Sequence, residues 1–161
     1  MMREQILTFL EKNSRIDLKE LAILLGSDET VIANEIQKME KEGIICGYHT
    51  LIDWDKTSSD KVTALIEVRV TPQRGQGFDS IAERIYNYPE VKSVYLISGG
   101  YDLMVILEGK TLKEVSGFVS DKLSTLESVL STATYFILKK YKDAGMILSK
   151  GNKDERMLVT P

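Results

Sequence analysis

An α+β protein in two parts is what this sequence predicts, and three observations predict it. The first 43 residues carry apolar side chains at three- and four-residue spacings broken by turn residues, the period of short amphipathic helices. Val62 to Val70 switches to alternation of apolar, mostly β-branched residues, the period of a strand. From there to Tyr141, strand and helix patterns follow one another in the order β-α-β-β-α-β.

Ile6, Leu7 and Leu10 form one stripe of a first helix, which Asn13-Ser14-Arg15 breaks. Asp17 stands three residues before Glu20, a variant capping box that opens a second helix with Leu18, Leu21, Ala22 and Leu25 inward. Gly26 is a natural stop for it. Asp28 or Ser27 caps a third helix, Asp28 to Glu42, with Glu29 against its positive end and Ile32, Ile36 and Met39 on its buried side. Gly43 ends that helix, and Ile44 to Asp53 reads as a strand interrupted by Gly47. Three short helices, a tight turn before the third and then a strand make a winged helix-turn-helix.

The polar run Asp55 to Lys61 has no period and reads as a linker. After the strand Val62 to Val70, Pro72 and the Gly75/Gly77 pair make a break, and Phe78, Ile81, Ala82 and Ile85 form a helical stripe ending by Pro89. Val91 to Ser98 is a second strand, Gly99-Gly100 a turn, and Asp102 to Glu108 a third strand. Thr111 to Leu126 is helical, with Leu112, Val115, Phe118, Val119 and Leu123 inward, and Val129 to Tyr141 supplies the last strand. The expected organisation is a winged helix-turn-helix over residues 1–53, a linker over 54–61, a ferredoxin-like βαββαβ domain over 62–148 and a flexible tail over 149–161. Helices in such a domain cover one sheet face only. Apolar residues on both strand faces (Leu65 beside Ile66, Tyr95 beside Leu96) therefore predict that two sheets pair into a dimer.

Composition narrows the chemistry. A single cysteine, Cys46, leaves no disulfide framework or multi-cysteine metal site, and a single histidine, His49, removes the usual catalytic and metal-binding pairings. No apolar run approaches the roughly 20 residues of a membrane helix, and the start lacks the apolar core of a secretion signal. The expectation is a cytoplasmic protein without metal or other cofactor. The net charge of -3 gives no general push toward nucleic acid. Trp54 is read as an anchor between the halves or to a dimer partner.

The two halves together resemble the leucine-responsive and asparagine regulator (Lrp/AsnC) family of prokaryotic transcription factors, from about Arg3 to about Leu148. The markers are Ile6-Leu7, Asn13-Ser14-Arg15-Ile16, and Leu21-Ala22 with Gly26. Further along stand Ile36-x-x-Met39-Glu40-x-Glu42-Gly43-Ile44-Ile45-x-Gly47-Tyr48 and Ser98-Gly99-Gly100-Tyr101-Asp102-Leu103. The linear order of the two halves, joined by these motifs, is the specific part. The resemblance implies dimers through the second-domain sheets, often assembled into tetramers or octamers. It also implies binding of double-stranded DNA near promoters, on the nucleoid, and modulation by an amino acid or similar small molecule held between second domains.

On that resemblance the third helix lies in the major groove. Its outer face offers Thr30, Ala33, Asn34, Gln37, Lys38 and Lys41, of which Asn34 and Gln37 suit adenine and the Ala33 methyl suits thymine. Arg15, Lys38 and Lys41 are candidates for phosphate. Residues 1–50 nevertheless hold six Lys and Arg against nine Asp and Glu, so a lone domain is a weak binder that depends on linked copies. The alternative is that the third helix serves packing only.

In the second domain, Ser98, Gly99, Gly100, Tyr101 and Asp102 form the candidate effector loop. Its glycines allow positive φ and leave amides open for a carboxylate, while Asp102 suits an α-ammonium. A plain hairpin turn is the competing reading of the glycine pair. Thr132 and Thr134 complete the pocket from a neighbouring subunit. Two other functions compete: a tetrapyrrole (haem-precursor) decarboxylase, for which His49 alone supplies little, and an architectural DNA-binding protein without effector control, which the acidic first domain disfavours.

Overall fold

The computed structural model describes residues 1–71, 75 and 77–148, and the chain divides into two compact units, Met1–Leu51 and Ile52–Pro161. In the first unit, α1 (Met2–Lys12), α2 (Leu18–Leu25) and α3 (Glu29–Lys41) close on Ile6, Leu21, Ala22, Ile32 and Met39. Each helix contributes at least one of these side chains, so none of the three buries its apolar stripe alone. The Asp17 carboxylate caps α2, accepting from the Lys19 and Glu20 amides at 2.9 and 3.3 Å. Asp28 caps α3 through the Thr30 amide at 2.8 Å. Between them Gly26 sits at φ 59°, ψ 38°, a left-handed conformation that strains any other residue and lets the chain reverse within one turn.

The expected strand from Ile44 to Asp53 does not form. Gly43 turns left-handed at φ 72°, the Ile44 and Ile45 amides both bond back to the Met39 carbonyl, and the following residues run irregularly to a 3₁₀ turn at Trp54–Lys56. A strand requires a partner ladder, and the first unit has no other strand to supply one. The helix-turn-helix is therefore present and the wing segment unpaired.

In the second unit β1 (Val62–Val70), β2 (Val91–Leu96), β3 (Leu103–Gly109) and β4 (Val129–Phe136) form one antiparallel sheet in the order β2-β3-β1-β4. α4 (Phe78–Tyr86) and α5 (Leu112–Phe118, prolonged by a π-helical turn at Val119–Leu123) cover one face. Ala64, Ile66, Val68, Leu103, Val105 and Leu107 from the strands pack there against Ile81, Ile85, Val115, Phe118 and Leu123. Gly109 ends β3 where a Cβ would stand 3.0 Å from Val115, so its lack of a side chain lets α5 approach the sheet. These elements match the α+β, ferredoxin-like expectation.

Several ends move for identifiable reasons. Leu112, expected inward, is 56% exposed, being the first residue of α5, ahead of the turn that meets the sheet. β4 stops at Phe136 and not Tyr141, because its pairing with β1 runs out at Ala64 and Thr63. The chain then makes a small hairpin absent from the sequence reading, β5 (Lys142–Asp143) and β6 (Met146–Ile147). Trp54 carries the Lys61 ammonium 3.8 Å from its ring centre, so the expected linker has local structure of its own. Pro72 and the tail 149–161 lie outside the described residues.

The face of the sheet away from the helices is uncovered in the single chain. Register places Leu65 beside Ile106 and Tyr135, and Tyr95 beside Met104, on that face; Glu67 in its midst accepts the Tyr135 hydroxyl at 3.4 Å.

Candidate functional site

Two regions gather the chemistry, one in each unit. On α3, successive residues step about 100° around the axis. Thr30, Ala33, Asn34, Gln37 and Lys41 therefore fall in one narrow stripe, opposite the buried Ile32 and Met39. Thr30, Asn34, Gln37 and Lys41 are exposed and Ala33 is half-buried. Among the described residues their side chains have no hydrogen-bond or ion-pair partner, nor does that of exposed Arg15 ahead of α2. Ala33, Asn34 and Gln37 also border a shallow cleft of about 300 Å³ with Leu18, Ile36 and Glu40.

Lys38 stands apart from this stripe. Its ammonium is 2.7 Å from Glu35, and Glu35 also accepts from Arg3 of α1 at 2.9 Å. The same guanidinium grips Glu42 through two bonds of 2.7 and 3.1 Å. Glu40, on the other flank, accepts the Tyr48 hydroxyl at 2.7 Å. Hydrogen bonds from Lys38 and then Arg3 hold the Glu35 carboxyl below the usual glutamate range, and the Arg3 bonds do the same for Glu42. Both carboxylates therefore favour the fold at neutral pH, and that contribution is withdrawn as pH falls through their lowered values. Sequence inspection missed this network, since Arg3 lies 32 and 39 residues from its partners and no local spacing signals such a pairing.

In the second unit, β2 and β3 are joined by the loop bearing Ser98, Gly99, Gly100, Tyr101 and Asp102. Ser98 and both glycines are exposed, and Tyr101 and Asp102 half-buried. Neither Gly99 nor Gly100 has positive φ, and a Cβ would meet nothing at Gly100 and only Ile97 at 3.6 Å at Gly99. The positive φ that these glycines allow is thus not used in this turn. What the loop does show is unspent donors: among the described residues the amides of residues 98–101 donate to no protein acceptor. Asp102 has a structural bond as well, its Oδ2 accepting the Val70 amide at 2.9 Å while its own amide donates to the Val68 carbonyl at 3.1 Å.

Thr132 lies in one row with Val68 and Leu103, and Thr134 in the next inward row with Ile66 and Val105. Thr132 is thereby at the loop's end of the sheet but two strands away, about 10 Å, and Thr134 is farther in. A single chain does not bring either beside Asp102. At the opposite end of the sheet is a cleft of about 680 Å³ that includes Lys61, Lys92, Glu90, Glu108 and Glu114 in its lining, a mixture of both charges.

Asp102 separates two roles that substitution can distinguish. Asp102→Ala removes the acceptor for Val70 and is expected to cost about 1–2 kcal/mol of stability. Asp102→Asn keeps an acceptor, so its unfolding temperature stays near that of the wild type. If the carboxylate also receives an ammonium group, both variants lose the thermal stabilisation given by the effector. A variant Asp102→Asn stabilised as strongly as the wild type assigns the residue to the hairpin alone.

Comparison with known proteins follows these two regions. Residues 63–147 match the family model described as the Lrp/AsnC ligand binding domain. The chain is 51% identical over 158 residues to YugG, an uncharacterized HTH-type transcriptional regulator of Bacillus subtilis (strain 168), covering 98% of this chain and 95% of that one. It is 30% identical over 135 residues to the proline dehydrogenase transcriptional activator of Rhodobacter capsulatus, covering 84% and 87%. Its fold is similar to that of the transcriptional regulator NMB0573 of Neisseria meningitidis, solved as a complex with L-Met, at TM-score 0.71, 22% identity and coverage of 88% and 91%. It is similar also to AsnC of E. coli, at TM-score 0.66, 22% identity and coverage of 86% and 91%.

Proposed function

The chain belongs to the Lrp/AsnC family of transcriptional regulators, and on that premise we propose that it reads double-stranded DNA with the outer stripe of α3 and answers to an amino acid or similar small zwitterion at the Ser98–Asp102 loop. The observation that carries the DNA half is the stripe itself: Thr30, Asn34, Gln37 and Lys41 aligned, exposed and unengaged among the described residues. Asn34 and Gln37 offer paired donor and acceptor groups to adenine, Ala33 a methyl contact, and Lys41 and Arg15 phosphate contacts. Lys38, held by Glu35, reaches phosphate only by giving up that bond.

Free amides at residues 98–101 suit a carboxylate, and the second oxygen of Asp102 suits an ammonium. Thr132 and Thr134 join such a pocket only from a second copy of the chain, which fits an effector held between subunits. The bare sheet face supplies the contact for a dimer, and higher assembly to tetramers or octamers follows the same logic of linked weak sites. That the structural neighbour from Neisseria meningitidis was solved with L-Met supports an amino acid as the ligand class. The reading is non-catalytic and cytoplasmic: the relatives are named as regulators, His49 is exposed without a partner among the described residues, and no helix among them is long and apolar enough to cross a membrane.

Gel retardation on the DNA upstream of the protein's own gene, at low salt and with each amino acid in turn, tests both halves. Retardation is expected, with one or a few amino acids shifting it. Absence of any retarded species overturns the DNA reading, and indifference to every amino acid overturns the effector reading.

A further inference from the structure

We propose that Arg3 of α1 sets the affinity of α3 for DNA by masking the acidic flank of that helix; the inference rests on the DNA reading above. α3 and its C-terminal cap carry Glu29, Glu35, Glu40 and Glu42 against only Lys38 and Lys41, the wrong balance for a helix that must approach phosphates. The structure answers three of the four. Arg3 bonds Glu35 and doubly bonds Glu42, Lys38 shares Glu35, and Tyr48 donates to Glu40. Glu29, the fourth, stands in the first turn of α3, where the helix dipole favours a negative charge.

A purely structural staple is not what this cluster resembles. α1 is already attached to the other helices through Ile6, fully buried with Leu21, Ile32 and Met39. Arg3 is about two-fifths exposed and Glu42 nearly half exposed, so exposed pairs of this kind add little to folding. Their effect on an incoming polyanion is different. Glu35 and Glu42 lie on the flank of the helix that bears the reading stripe; with α3 docked in a groove as proposed, they would come within about one helix diameter, or 10 Å, of the phosphates, about a Debye length at low salt. Without Arg3 the Glu42 carboxylate is left unneutralised on that flank, and Lys38 is left as the sole partner of Glu35.

The test uses the full chain and one duplex that the wild type retards. Arg3→Gln is expected to weaken binding about ten-fold at low salt, with the difference shrinking to two- or three-fold at 0.5 M salt as screening takes over. Arg3→Lys, which keeps the charge, is expected to bind within three-fold of the wild type. Arg3→Gln/Glu42→Gln is expected to recover most of the loss, whereas Arg3→Gln/Glu11→Gln, of the same net charge but altered at the far end of α1, is not. Circular dichroism melts identify any variant that fails to fold, and Arg3→Lys carries the comparison if Arg3→Gln does. Equal recovery by the Glu11 variant makes net charge the whole effect and overturns the masking role. So does Arg3→Gln binding as tightly as the wild type, or a folded Arg3→Lys binding as weakly as Arg3→Gln. A wild type that retards no duplex overturns the DNA reading itself, and masking with it.

Discussion

Replacing Ile106 by glutamate is expected to leave the protein folded and monomeric at micromolar concentration, where the wild type is expected to sediment as a dimer or larger. Ile106 sits in β3, one of the two inner strands, and its register partners Leu65 and Ser93 share the face turned away from α4 and α5. The substitution therefore leaves the core of Ile66, Val105 and Leu107 untouched. A carboxylate placed in the middle of two apposed sheets loses its water without gaining a cation, a penalty of several kcal/mol. At 1.4 kcal/mol for each factor of ten, the dimer dissociation constant rises by about a thousand-fold or more. Sedimentation reads this directly, and far-ultraviolet circular dichroism confirms the intact sheet. A wild type already monomeric at that concentration, or a variant that remains dimeric, removes the sheet-pairing proposal. Because linked sites multiply affinity without new contacts, the same variant is expected to lose most of its binding to long DNA.

The second large effect concerns reading itself. Asn34→Ala/Gln37→Ala is expected to lower affinity for the preferred operator about 100-fold, at 1–3 kcal/mol for each bidentate contact to adenine. Affinity for unrelated DNA should barely change, and so should the slope of log affinity against log salt, since neither residue is charged. Lys41→Ala is expected to behave in the opposite way, weakening all sequences alike and reducing that slope by about one for each copy bound. Competition gel shifts with operator and random duplex separate the two patterns. If the double variant retains its preference for the operator, the reading stripe lies elsewhere.

Local rules made much of this fold legible. Alternation marked β1 at the same residues the structure shows, and the caps at Asp17 and Asp28 and the left-handed stop at Gly26 are each a matter of two or three neighbouring residues. What failed depends on partners distant in sequence. Ile44 to Asp53 has the composition of a strand and lacks a ladder, while β4 ends where β1 begins, a limit no inspection of residues 137–141 contains. The stripe on α3 was readable from its helical period, yet Lys38 was assigned to it although Glu35, three residues earlier, binds its ammonium. The loop of Gly99 and Gly100 was singled out for the positive φ its glycines allow, which the backbone angles do not show.

Trp54 is the only tryptophan in the chain, and its indole ring lies beneath the Lys61 ammonium. The tryptophan emission of the protein therefore has a single source, placed at the entrance to the sheet beside one neighbouring cation. A spectral change on mixing with a duplex is a message from that entrance, not from Asn34 or Gln37, and it turns the native chain into its own unlabelled optical sensor of how far an event on the helices travels.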